Sequence, residues 1–170
     1  KTLKSEQQKY NLNLCGGDTT FSNKLSFTIT SLGYSKKIIY RNKANLNDDI
    51  YVTGNLGDSF VGLNILNKKY KVSKNLKKYF ENKYYKPVIN VKLIKKLFLF
   101  ANTSMDISDG LIVDLEKLIN SQQLTFKLYL EDIPISKNLK KFILLKKLKK
   151  DFFISQGDDY QILFTANSSK

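Results

Sequence analysis

Apolar and polar residues alternate with a period of two in residues 25–32, where Leu25, Phe27 and Ile29 are interleaved with Ser26, Thr28 and Thr30. Such alternation puts one row of side chains on each face and predicts a half-buried β-strand. Residues 12–14 form a short apolar strand candidate ahead of Gly16 and Gly17. Two more, 38–40 and 50–52, flank the polar linker 41–49, and 1–11 is helix-like. We place a domain boundary in that linker, separating 1–42 from 43–170. Past Gly54 the period changes to that of a helix. Phe60, Leu63 and Leu66 follow Asp58 and Ser59, a candidate N-cap pair, and 73–82 reads as a second helix. Beyond Pro87, Val91, Ile94, Leu97 and Phe98 make a helical stripe. A strand and turn occupy 104–110, and Leu111, Leu115, Leu118 and Ile119 form an apolar helix face expected to be core. Phe126, Leu128 and Leu130 predict another strand, 137–149 a basic helix, and Tyr160, Ile162 and Phe164 a closing strand. Helices and strands in this alternation predict an α/β or α+β class with helices packed on a sheet.

Composition narrows the chemistry more than the fold. A chain of 170 residues has room for one domain, or for one domain and part of another. It opens on Lys1, which leads us to expect part of a longer polypeptide. We find no secretory signal and no apolar run long enough for a bilayer, so a cytoplasmic protein is expected. The formal charge of +14 raises the possibility of a polyanion-binding basic module, yet Arg41 is the only arginine and the lysines are dispersed. Pairs such as Lys68 and Lys69, or Lys140 and Lys141, read as solvated helix faces. Neither a specific nucleic acid nor a membrane is the expected partner. With no histidine, histidine-based triads and HExxH zinc sites are excluded, and lone Cys15, expected as a small buried strand-end residue, allows no intramolecular disulfide or cysteine-cluster zinc site. There is no GxxxxGK[ST] P-loop. Carboxylate, hydroxyl, amide and lysine groups remain, and these suit magnesium and phosphate.

The candidate chemistry centres on Ser104, Met105, Asp106, Ile107, Ser108, Asp109, Gly110 and Leu111. A strand-to-helix turn here can aim Asp106 and Asp109 at one cation, leaving Ser108 and backbone N–H groups for phosphate oxygens. Asp109 could equally be the N-cap of the following helix. Three further segments are glycine-punctuated or acidic turns. Gly16, Gly17, Asp18, Thr19 and Thr20 combine close backbone approach with oxygen ligands. Residues 51–59, YVTGNLGDS, lead into a helix, and residues 155–160, SQGDDY, enter a strand.

In this order the four segments, with Arg41 before the second, resemble the thiamine-monophosphate kinases of the aminoimidazole-ribonucleotide synthetase and selenophosphate synthetase superfamily. The family pattern runs GGDTT, then GD-x-I-Y-V-T-G-T-L-G-D-S, then IDISDGL, then SGGEDYELLFT. The resemblance covers essentially the whole chain and about half of the family's usual length. It implies the end of an N-terminal ATP- and metal-binding sheet domain, followed by a C-terminal domain with helices on a mixed sheet. The implied activity is ATP-dependent phosphorylation of thiamine monophosphate to thiamine diphosphate, with several Mg²⁺ ions and a homodimer joined through the N-terminal domain. Gly17, Asp18, Arg41 and Ser108 would contact ATP, Asp18, Asp106 and Asp109 would bind Mg²⁺, and Asp158 would meet the thiamine substrate. Phe21 stands where the family has arginine, and Gln156, Asp158 and Gln161 replace glycine, glutamate and glutamate. These departures bear on acceptor specificity. Another ATP-using synthetase of the superfamily, or a non-catalytic remnant, are the alternatives.

Overall fold

The computed structural model describes residues 2–35 and 37–168, which fall into two units, Lys1–Lys36 and Lys37–Lys170, each considered by itself. The first unit begins with helix α1, Thr2–Tyr10. Its remaining described residues form no strand, so the expected strands at 12–14 and 25–32 are corrected to irregular chain. A period-two pattern specifies which face a strand would bury, but a strand also needs a partner for its backbone N–H and C=O groups. None runs alongside among the described residues of this unit, and Leu25, Phe27 and Ile29 are more than four-fifths exposed. Cys15, expected to be buried, is exposed for the same reason.

The second unit is built on three antiparallel strands, β1 (Asp48–Val52), β2 (Thr103–Ile107) and β3 (Gln161–Asn167), in the order β1-β3-β2. Register sets Tyr51 opposite Phe164 on one side of β3, and Asp106 opposite Ile162 on the other. The α/β class read from the pattern is the one observed. The sheet is antiparallel throughout the described residues, where a mixed one was expected. Helices α2 (Asp58–Leu66), α3 (Lys74–Tyr85), α4 (Val91–Ile94), α5 (Leu111–Leu118), α6 (Lys137–Lys146) and α7 (Lys150–Ile154) complete the unit. The expected basic helix 137–149 is interrupted because Lys147 adopts a left-handed conformation, φ 51°, that ends α6.

Alternation in β2 directs Thr103, Met105 and Ile107 inward and leaves Ser104 and Asp106 half-buried on the opposite face. Met105 and Ile107 join Leu111, Leu115 and Leu118 of α5 and Leu163 of β3 in one core cluster. A second cluster packs Phe80, Phe142 and Phe153 with Val61 and Leu139, with the three rings edge to face in sequence. Each such buried side chain contributes about 1.5–3 kcal/mol. Ile107, Leu111 and Ile154 of the first cluster flank the turns that follow β2 and precede β3.

Two other expected strands are not formed. Residues 38–40 are fastened differently: the Tyr40 carbonyl accepts from Thr103 Oγ1 at 2.6 Å, and the Asn42 N–H donates to the Leu118 carbonyl at 2.9 Å. Residues 124–128 do alternate in burial, with Leu124, Phe126 and Leu128 turned inward. A cavity of about 810 Å³ lies between them and β1, and the segment forms no ladder. No helix among the described residues is long and apolar enough to cross a membrane.

Candidate active site

Strand β2 delivers Asp106 and then breaks into the turn Ser108, Asp109, Gly110, after which α5 begins. The N-cap of α5 is Gly110, with φ 120° and ψ 153°, and not Asp109. The turn is held from inside the helix. The buried Asp114 carboxylate reaches back so that its Oδ2 accepts the N–H groups of Ser108 and Asp109, each at 2.9 Å, and of Gly110 at 3.1 Å. Three successive backbone donors of the turn ahead of the helix are thus satisfied by one oxygen. Burial works to raise the Asp114 pKa. The Asp109 N–H, the Lys117 ammonium and the N–H groups of Ser108 and Gly110 outweigh it, and the carboxyl lies below its ordinary value.

Lys117, one turn along α5, donates to Asp114 Oδ1 at 3.0 Å and also to Asp109 Oδ2. These bonds raise the lysine above its usual range, that from Asp109 first. The Asp109 carboxylate, the more exposed of the two, is therefore already held against a positive charge.

The turn before β3 interlocks with this one. Asp158 donates its N–H to the Ser108 carbonyl at 2.9 Å, and Tyr160 donates to Ile107 at 2.8 Å, prolonging the β2/β3 ladder beyond its regular end. Asp158 and Tyr160 both have positive φ, 68° and 50°. The approach is close enough to demand glycine on each side. A Cβ at Gly157 would meet the Ser108 carbonyl oxygen at 2.0 Å, and one at Gly110 would meet that of Ser155 at 2.4 Å. Asp106, Ser108, Asp109 and Asp158 are thereby brought to one end of the sheet. Burial raises the Tyr160 pKa, and the carboxylates of Asp158 and Asp106 raise it further.

Next to Asp158, buried Asp159 turns the other way and caps α2: Oδ2 accepts from Gly57 N–H at 2.6 Å, Oδ1 from Ser59 N–H at 3.4 Å. Burial pushes Asp159 up to about 7, against the pull of those two N–H groups. Asp58, expected with Ser59 as the cap pair, is instead in the first turn and accepts from Tyr79 and Ser136, with burial raising it as well. Beside this pair lies a cavity of about 370 Å³ whose walls include Asn55, Ser59, Lys83, Asp159 and Gln161.

The backbone on either side of Arg41 is tied to the start of β2 and the end of α5, the opposite ends from the turn. Gly17 and Asp18 belong to the first unit, where the exposed Asp18 carboxylate accepts the Thr19 N–H at 2.7 Å. Among the described residues no group of three or more metal-ligating side chains assembles. The donor set of the turn still suits Mg²⁺, which keeps several waters and takes one or two carboxylates together with phosphate oxygens. Asp109 is paired with the Lys117 ammonium, with which an arriving metal ion would compete. Asp114 and Lys117 were not anticipated. Their signal was present, since Asp114 falls on the apolar stripe of Leu111, Leu115 and Leu118, and a carboxylate there must find partners.

No protein-family model matches the chain. It is 37% identical over 164 residues to the thiamine-monophosphate kinase of Buchnera aphidicola subsp. Acyrthosiphon pisum, covering 92% of this chain and 49% of the relative. With the enzyme of that name from Leptospira interrogans it shares 32% over 165 residues, covering 96% and 52%. The solved thiamine monophosphate kinase of Aquifex aeolicus superimposes with a TM-score of 0.74 at 28% identity, over 81% of this chain and 47% of that one. AaThiL complexed with AMPPCP and TMP gives 0.71 at 30%, over 77% and 43%. The chain spans about half the length of the curated relatives it matches. Over that half the chain is similar, in both sequence and fold, to thiamine-monophosphate kinases.

Proposed function

We propose that these residues serve an ATP- and Mg²⁺-dependent transfer of a phosphoryl group to thiamine monophosphate, giving thiamine diphosphate. One observation carries the reading: interlocked turns bring Asp106, Ser108, Asp109 and Asp158 to one end of the sheet, in a chain similar to a solved protein complexed with AMPPCP and TMP. Asp106 and Asp109 would hold magnesium and Ser108 would contact ATP; an ATP contact for Gly17, Asp18 and Arg41, and a magnesium role for Asp18, are proposed from the likeness to the kinases alone. Asp158 would face the thiamine substrate. A homodimer is part of the same proposal.

The chemistry asks little of an acid or base, which fits a chain without histidine. A phosphate monoester is largely ionised near pH 7, its second pKa lying near 6, so the acceptor oxygen needs no strong base. The protein's part is to align acceptor and donor and to hold charge where phosphates meet. Bound magnesium supplies neutralisation of the phosphate oxygens. The Asp114 bonds fix the Ser108 and Asp109 backbone so that those side chains start from one geometry. Asp158, on its left-handed backbone, is presented from the adjoining turn. With ATP, Mg²⁺ and thiamine monophosphate supplied, the expected product is thiamine diphosphate, lost in Asp106→Asn. ATP consumption that yields only ADP and free phosphate, whatever the acceptor, contradicts the assignment.

A further inference from the structure

The buried acid of α5 has a role that the metal-site reading does not include. We propose that Asp114 is a positioning residue for the turn and that Lys117 is the cation for which a metal ion exchanges at Asp109; this rests on Asp109 being a metal ligand, as proposed above. Both Asp114 carboxylate oxygens are already engaged by the chain. Asp114 acts through the three successive N–H groups it accepts, at 2.9, 2.9 and 3.1 Å, which fix the backbone of the turn that carries Ser108 and Asp109.

The other Asp114 oxygen anchors Lys117 at 3.0 Å, and the same ammonium bridges to Asp109. The two acids are unequal partners. Asp114 is fully buried and committed to the backbone, whereas Asp109 is 61% exposed and its carboxylate is held by Lys117 alone among the described residues. A divalent ion arriving from solvent therefore competes with Lys117 for Asp109 alone. Lys117, itself partly exposed, keeps its bond to Asp114 when Asp109 is taken. The clamp holds Asp109 near its working position before the ion arrives and releases it without leaving a buried charge unpaired.

The two halves predict effects of opposite sign. Loss of an outer partner that orients metal ligands weakens binding about 10–100-fold, so Asp114→Asn should weaken Mg²⁺-dependent AMPPCP binding by at least about tenfold while the protein still melts cooperatively. Its Ser108, Asp109 and Gly110 amides should exchange hydrogen faster. Lys117→Met removes the competitor and should tighten Mg²⁺ binding severalfold, with amide protection retained. Titration calorimetry and amide exchange read these, with Asp106→Asn and Asp109→Asn alongside. If the latter two bind as the wild type does, or if the wild type takes up no Mg²⁺, the metal-site reading fails and the inference falls with it. If they lose binding while Asp114→Asn does not, the inference alone is overturned. Should Asp114→Asn not fold, Lys117→Met decides: tighter Mg²⁺ binding supports the clamp, and unchanged or weaker binding overturns it.

Discussion

Replacing Gly157 by alanine tests the interlock on which the site depends. The added Cβ would come within 2.0 Å of the Ser108 carbonyl oxygen, 2.9 Å of its carbon and 3.1 Å of Asp109 Cα. All three are backbone atoms, so no side chain can swing aside. Forcing a methyl group into a closed contact costs about 1–3 kcal/mol. Separating the turns also breaks the Asp158 to Ser108 bond of 2.9 Å, worth about 1 kcal/mol net. The combined loss is about 3 kcal/mol, a change of about a hundredfold in the folding equilibrium. With a urea dependence of about 2 kcal/mol per molar, the midpoint should fall by about 1.5 M. Urea unfolding followed by circular dichroism measures this, and Gly33→Ala serves as the control because nothing lies within 4 Å of its Cβ position. A Gly157→Ala midpoint within about 0.3 M of the wild type would refute the claim that the turns are locked backbone to backbone.

Phe80→Ala, which empties a fully buried site edge-on to Tyr79 and Phe142, should cost about 3–5 kcal/mol in the same unfolding assay. Phe21→Ala, 96% exposed, should stay within about 0.5 kcal/mol. Asp159 is raised on folding from 3.8 to about 7, so between these values the unfolded chain gives up its proton first and stability falls as pH rises. Melting from pH 4 to 8 should show that decline in the wild type and a flatter profile in Asp159→Asn. Asp114 has the opposite sign: its lowered pKa contributes stability above the ordinary carboxylate value of 3.8, lost as pH falls through the folded value. Acid titration followed by amide exchange should show the Ser108, Asp109 and Gly110 amides losing protection as Asp114 protonates.

The parts of the second unit that a local pattern can specify were legible. Leu111, Leu115 and Leu118 face the core as their spacing requires, and Asp106 and Ser108 lie at the end of a strand whose inward residues are Met105 and Ile107. What escaped reading depends on distant partners. Nothing local to Gly57 reveals that its N–H will be capped by Asp159, about a hundred residues away. The same holds for residues 25–30 and 126–130, whose alternation marks a face but cannot furnish the neighbouring strand. Asp158 was readable as an acidic turn residue, whereas its lock onto Ser108 emerged only with the register of β2 on β3.

The central claim is that Asp106 and Asp109 form one cation-dependent nucleotide site. Titration calorimetry of AMPPCP into the protein, with and without Mg²⁺, tests it most directly in the wild type, Asp106→Asn and Asp109→Asn. The account predicts Mg²⁺-dependent binding in the wild type and a loss of at least about tenfold in each variant, as removing a direct ligand should cost no less than removing an outer partner. Equal affinity in all three proteins, or binding indifferent to Mg²⁺, would contradict it.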